Sequence, residues 1–239
     1  MNVFYTNRIE GNLAFLAEAE AKHLGKVMRK KVGDTIHLID GVGGRYTGEI
    51  VELEKRSATI QVLEGSQEAD PPARLHLAVA PPKNNSRLEW LLEKVTEIGV
   101  DEIWPFVSFH SERKIIKTER LEKILLAATK QSLKARLPRL HALQGFTELL
   151  DELVSLFPER VEKYIAYIDP QVNLHLQDNY SAGKDVVILI GPEGGFSAEE
   201  VALAKEKGFR PVSLGPARLR TETAGLVATT IVQLKNQTI

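Results

Sequence analysis

At 239 residues the chain suits one large domain or two small ones and is long enough to bury a substantial core. A hydrophobic share of 43% and a charged share of 26% are ordinary for a soluble globular protein, and no apolar run approaches the ~18 residues of a membrane span. The formal net charge is −1, so the whole chain is no polycation, and the lack of cysteine excludes disulfides, iron–sulfur clusters, thiolate zinc sites and cysteine nucleophiles.

Residues 1–70 read mostly as short strands, with a short helix at 18–30. Residues 35–40 alternate apolar and polar, 41–44 turn the chain, and 45–53 and 58–63 follow as further strands. Small units of this kind commonly close as barrels. Residues 64–72 (EGSQEADPP) are polar and end in prolines, as a linker would. From residue 73 strands and helices alternate. A strand at 75–80 precedes a capping box at 86–89 (Ser-Arg-Leu-Glu) and a helix whose stripe Leu88, Leu91, Leu92, Val95 and Ile98 ends at Gly99. A strand at 102–107, an amphipathic helix at 121–133 and strands at 164–168 and 186–190 come next. A second capping box at 197–200 opens a helix ending near Gly208, followed by a strand at 211–214 and a closing helix at 223–234. This order predicts an α/β domain with a largely parallel sheet over 73–239.

Charge is segregated within the neutral total. Residues 21–33 carry Lys22, Lys26, Arg29, Lys30 and Lys31 without one acid. Residues 111–139 carry Arg113, Lys114, Lys117, Arg120, Lys123, Lys130, Lys134, Arg136 and Arg139 against Glu112, Glu119 and Glu122. Such segregation fits a polyanion-binding face as well as ordinary solvated helix faces. The six histidines are scattered, with no pair at H-x-x-x-H spacing, so no metal is expected. The opening MNVFYTNRIEGN has no basic segment leading into an apolar one. No secretory signal is read, and a cytoplasmic location without membrane contact is the expectation.

Two stretches carry most of the chemistry, VVILIGPEGGFSAEE at 186–200 and VSLGPARLRTETAGLVATTIV at 212–232. Each runs from a strand-like segment through a Gly-containing bend into a helix-like one. Main-chain groups at such bends approach a polar ligand closely. Neither bend matches G-x-x-x-x-G-K-[ST] or G-x-G-x-x-G, so neither a P-loop nor a Rossmann loop is supported.

In order and spacing, Gly-Pro-Glu-Gly-Gly at 191–195, Ser-Leu-Gly at 213–215 and Leu-Arg-Thr-Glu-Thr at 219–223 resemble the 16S rRNA (uracil-N3)-methyltransferase family of the SPOUT superfamily. The likeness extends to 78–99, to Ser-Glu-Arg at 111–113, to Gln-Ser…Arg-x-Pro at 131–138 and, more loosely, to 21–34. It departs after Gln131, where this chain reads Ser-Leu-Lys-Ala-Arg and relatives commonly have a Gly-rich Ser-Gly-Arg run. The resemblance implies an α/β fold with a C-terminal SPOUT-type parallel-sheet domain (73–239) and an N-terminal RNA-binding PUA-like β-barrel (1–70). It also implies a deep trefoil knot, which pattern reasoning alone would reject.

The resemblance further implies S-adenosylmethionine as cofactor and a homodimer that modifies 16S rRNA in the small ribosomal subunit. The implied cofactor residues are Ile190, Gly191, Pro192, Glu193, Gly194 and Gly195 in the first bend, and Ser213, Leu214, Gly215, Leu219, Arg220, Thr221 and Thr223 in the second. Without a thiolate, attack at pyrimidine C5 is disfavoured and a nitrogen or oxygen acceptor is expected. Glu222 is a candidate base for the uridine N3 proton, with Glu193 as its rival, and Arg220 is a candidate for holding a phosphate or the uracil carbonyls. Thr221 or Thr223 doubles as a candidate helix N-cap. Expected RNA contacts are Lys26, Arg29, Lys30, Lys83, Arg113, Lys114, Lys134 and Arg136. Phe196 is expected in the core, with base stacking as the alternative. Two rivals remain open: a knotted methyltransferase acting on tRNA or a ribose 2′-oxygen, and a non-catalytic RNA-binding assembly factor.

Overall fold

Alternation of apolar and polar residues builds the first part of the chain from strands, because successive side chains on a strand point to opposite faces. The computed structural model describes residues 2–157, 161–169 and 174–237. By compactness the chain divides into a first unit, residues 1–70 with 126–137, and a second, residues 71–125 with 138–239.

The strands of the first unit are β1 (Val3–Tyr5), β2 (Ile9–Glu10), β3 (Leu13–Leu16), β4 (Thr35–Ile39), β5 (Gly44–Leu53) and β6 (Ala58–Gln67), in the order β1-β4-β5-β6-β3-β2. The β1–β4 pair is parallel and the other pairs are antiparallel. Thr6, between β1 and β2, donates its N–H to Ile39 O (3.0 Å) on one side and its hydroxyl to Phe15 O (2.7 Å) on the other. The two ends of the strand order therefore meet, and the sheet closes around Phe4, Leu16, Leu24, Leu38, Ile50 and Ile60. β6 runs past residue 63 because Ser66 and Gln67 pair with Arg45 and Gly44, which shortens the expected linker. The helix expected at 18–30 is α1 (Glu18–Lys22) followed by a wider π-helical turn, His23–Val27. Gly25, a poor helix former, lies in that turn. Residues 126–137 are tied to this unit by Lys130 Nζ on Glu20 Oε1 (2.7 Å) and by Leu137 N–H on Gly41 O (2.9 Å).

The second unit holds β7 (Leu75–Val79), α2 (Asn85–Ile98), β8 (Glu102–Val107), the start of α3 (Thr118–Gln131), β9 (Arg139–Leu140), β10 (Gln144–Gly145), α4 (Phe146–Leu156) and β11 (Glu162–Ala166). It continues with α5 (Leu176–Asn179), β12 (Val186–Ile190), α6 (Ala198–Glu206), β13 (Arg210–Val212) and α7 (Thr221–Asn236). Its sheet has the order β10-β8-β7-β12-β11-β13, with β9 beside β8, and every pair is parallel. Helices α2 and α7 pack together on one face, where Gly225 sits over Leu91 and Leu77. The other face packs Ala78, Trp104, Ile165 and Leu189 against Leu149, Leu150 and Leu153 of α4 and Val201 and Ala204 of α6. Burial on both faces explains why β7 and β12 read as nearly continuous apolar runs.

Some boundaries differ from the expectation for local reasons. Asn84 is the N-cap of α2, its side chain accepting from Ser86 N–H (2.9 Å), so the box at 86–89 does not form. The box at Ser197 and Glu200 does form. α3 starts before residue 121 and ends at Gln131, because Leu133 takes a left-handed φ of 57°. β11 and β13 end before residues 168 and 214, where the chain turns into the loops described next.

Candidate active site

Parallel strands place their carboxyl ends, and the loops leaving them, on one side of the sheet. At that side β11, β12 and β13 open into a cleft of about 420 Å³. The end of β12 contributes Ile190, and the loop after it Gly191, Pro192, Glu193, Gly194, Gly195 and Phe196. The loop after β13 contributes Leu214, Gly215, Ala217, Arg218 and Leu219, and α7 adds Thr221 and Ala224. Ala166, Tyr167 and Ile168, at and beyond the end of β11, complete the wall.

The two loops are locked together. Thr221 Oγ1 donates to Gly191 O at 2.9 Å, joining the first turn of α7 to the first bend. Ser213 lies at the base of the second bend, its Oγ accepting from Gly215 N–H at 3.1 Å. Phe196 is buried between Phe106 and Phe146, with ring centroids 6.1 and 5.6 Å away, so its ring belongs to the core. On the outside, His110 Nδ1 lies 3.1 Å from Gly195 O. A Cβ on Gly194 would come within 2.7 Å of the His110 Cβ, and Gly195 has a φ of +75° that favours glycine.

The proposed catalytic residues separate. Glu193 stands exposed on the cleft lining, and its Oε1 accepts from Lys83 N–H at 3.1 Å. Glu222 is only 7% exposed and is not among the lining residues. Its Oε1 lies 3.6 Å from Arg87 Nε on α2, and its Oε2 has no hydrogen-bond partner among the described residues. Arg220 is exposed and is itself the N-cap residue of α7, so neither Thr221 nor Thr223 caps that helix. Thr223 lies in the first turn of α7, outside the lining.

Lys83, Glu112, Arg113, Lys114 and Ile115 line a shallow groove of about 400 Å³. Lys83 Nζ pairs with Glu112 at 2.6 Å, and that carboxylate raises the ammonium above its ordinary pKa. The Arg113 guanidinium is committed to main chain, donating from Nε to Pro82 O and Lys83 O, each at 3.1 Å. In the first unit Lys26 and Arg29 are exposed, and Lys30 reaches Thr35 O at 3.4 Å. Lys134 is half-buried. Arg136 donates to Glu68 O (3.0 Å) and pairs with Asp70 (3.1 Å), so it braces the end of β6. Among the described residues no group of three or more metal-ligating side chains is placed to hold an ion.

A protein-family profile described as RNA methyltransferase domain matches residues 69–233, and one described as RNA methyltransferase PUA domain matches residues 16–63. The chain is 32% identical over 238 residues to ribosomal RNA small subunit methyltransferase E of Aquifex aeolicus, covering 94% of this chain and 95% of the relative. A crystal structure described as a probable rRNA-methyltransferase from Porphyromonas gingivalis superposes with a TM-score of 0.89 at 40% identity, over 100% of this chain and 99% of the other. Ribosomal RNA small subunit methyltransferase E of Neisseria gonorrhoeae, bound to S-adenosyl methionine, superposes with a TM-score of 0.83 at 29% identity, over 98% of this chain and 97% of the other. The chain belongs to the ribosomal RNA small subunit methyltransferase E family of RNA methyltransferases.

Proposed function

We propose that the protein transfers a methyl group from S-adenosylmethionine to N3 of a uridine in 16S rRNA of the small ribosomal subunit, as a cytoplasmic homodimer. The observation that carries this reading is the meeting of the two Gly-containing bends in one cleft, in a chain whose relative binds that cofactor.

The cleft fits such a group. Its volume falls within the ~300–1,000 Å³ usual for small-molecule sites. Ile190, Leu214 and Leu219 offer apolar surface for flat rings, while the bends bring main chain close where side chains are absent. Bound there, the cofactor supplies an electrophilic methyl group. The chain's own residues orient the acceptor and handle its proton. Glu193, on the cleft lining, takes the N3 proton, and Arg220 at the mouth of α7 offsets the charge left on the uracil. Holding both partners in line is worth roughly 7–11 kcal/mol of the barrier, with no metal needed.

Residues 1–70 serve RNA binding and residues 73–239 serve catalysis, a division supported by the extents of the two family matches. Lys26, Arg29, Lys83 and Lys114 meet phosphates, so RNA affinity falls steeply with salt. The target base leaves its stack to reach the cleft. Trp90 and Leu234, exposed on α2 and α7, support pairing of two copies. A trefoil knot belongs to the same reading and is supported by the inner position of β12 and the return of α7 onto α2 and β7. Among the described residues no helix is long and apolar enough to cross a membrane.

The test incubates the protein with tritiated S-adenosylmethionine and small subunits from a strain lacking the endogenous enzyme, then identifies the labelled nucleoside. Label in 3-methyluridine is expected. Label in another nucleoside would overturn the acceptor, and cofactor binding without any label would favour a non-catalytic RNA-binding role.

A further inference from the structure

We infer that Phe109 is a stacking platform for a nucleobase flanking the target in an unpaired RNA strand. The inference rests on the RNA methyltransferase reading and extends it to a residue outside the cofactor bends.

Phe109 is 77% exposed, whereas Trp104, Phe106, Phe146 and Phe196 of the same unit are buried. Its exposure is built rather than loose. Glu200, at the start of α6, accepts from Phe109 N–H at 2.9 Å and from the Ser108 hydroxyl at 3.0 Å. Ser111 Oγ accepts from Ser108 N–H at 2.9 Å, and Ser111 N–H returns to Ser108 O at 2.9 Å. The His110 ring meets the Phe109 ring edge-on, with centroids 4.9 Å apart and planes at 83°. Hydrogen bonds to a carboxylate are stronger than neutral ones, so this turn holds its aromatic ring at the surface at little further entropic cost.

The surroundings select the occupant. The same β8–α3 connection carries Glu112, Arg113, Lys114 and Ile115 into the groove shared with Lys83, where three cations stand against one carboxylate. It also touches the cofactor bend directly, through His110 on Gly195 O and against Gly194. An open aromatic face beside cations is the recognition surface of single-stranded nucleic acid, where bases stack and phosphates pair. Its neighbour His110 lies against the first bend, which brings the stacked base toward the nucleotide being modified.

The experiment uses the full chain and a fluorescein-labelled, single-stranded oligouridylate, read by anisotropy at fixed salt. S-adenosylmethionine affinity is measured calorimetrically on the same samples. Phe109→Ala is expected to weaken RNA binding by roughly 5- to 150-fold. Phe109→Trp restores it, Phe109→Leu does not, and cofactor affinity is unchanged in all three. Unchanged RNA affinity in Phe109→Ala, or full rescue by Leu, would overturn the stacking role. So would a wild-type chain that binds the cofactor but not the RNA, or a Phe109→Ala effect on self-association alone. Phe109-dependent RNA binding without any cofactor binding would instead sink the methyltransferase reading and leave the platform standing.

Discussion

Gly194 marks the closest approach between the first bend and its support, with space for a hydrogen where a Cβ would sit 2.7 Å from the His110 Cβ. Gly194→Ala is expected to push the bend into the cleft and weaken S-adenosylmethionine binding by ~10-fold or more, about 1.4 kcal/mol, as read by calorimetry. The two glutamates divide differently. Glu193 lines the cleft, and Glu222 is buried beside Arg87. A general base contributes ~10²–10⁴-fold, so Glu193→Gln is expected to slow single-turnover methylation on that order with RNA and cofactor affinities retained. Glu222→Gln is expected to leave that rate within a few-fold of wild type. A fast Glu193→Gln variant would pass the proton to solvent and leave Arg220 as the stabilising group.

At the scale of elements, one carboxylate fastens two. Glu200 completes the capping box of α6 with Ser197 and also holds the 108–109 turn. Ser197→Ala is expected to cost ~0.5–2 kcal/mol, as usual for a lost N-cap. Glu200→Ala is expected to cost more, since each lost bond to a charged group is worth ~1.5–3 kcal/mol. Urea denaturation of the two variants checks the order. The end of α3 is a second case. Leu133 N–H reaches Lys130 O and Lys134 N–H reaches Thr129 O, the paired bonds of a helix end whose left-handed residue is usually glycine. Here leucine fills it at φ 57°.

For the whole molecule, a cluster away from the cleft is expected to shape acid stability. His141 Nε2 lies 2.6 Å from Glu102 Oε2, and His76 Nδ1 lies 3.8 Å from it. The hydrogen bond with His141, helped by the His76 ring nearby, holds the Glu102 carboxyl well below the ordinary carboxylate range, against the opposing pull of burial. A depressed carboxyl stabilises the fold above its unfolded pKa, and that stability is lost as pH falls through the acid range. Glu102→Gln is therefore expected to lower the urea midpoint at neutral pH and to flatten its decline below about pH 5. An acid limb as steep as that of wild type would remove Glu102 as its source.

Local patterns determined much about this protein. Nearly continuous apolar runs marked β7 and β12 as buried strands, the Ser197 box marked the start of α6, and the two bends marked loops that line the cleft. Such patterns are readable because a strand repeats every two residues and a helix every 3.6, so neighbours in sequence report on one another. Only the tertiary structure decided which way the next residues faced. Thr221 and Glu222 are adjacent, yet a helix turns about 100° per residue, so one bonds to Gly191 and the other lies against Arg87. The wall from Ala166 to Ile168 joins the cleft through sheet pairing between β11 and β12, strands well separated in the chain. The turn that carries Phe109 is held by Glu200, far along the chain, so no local period announces it.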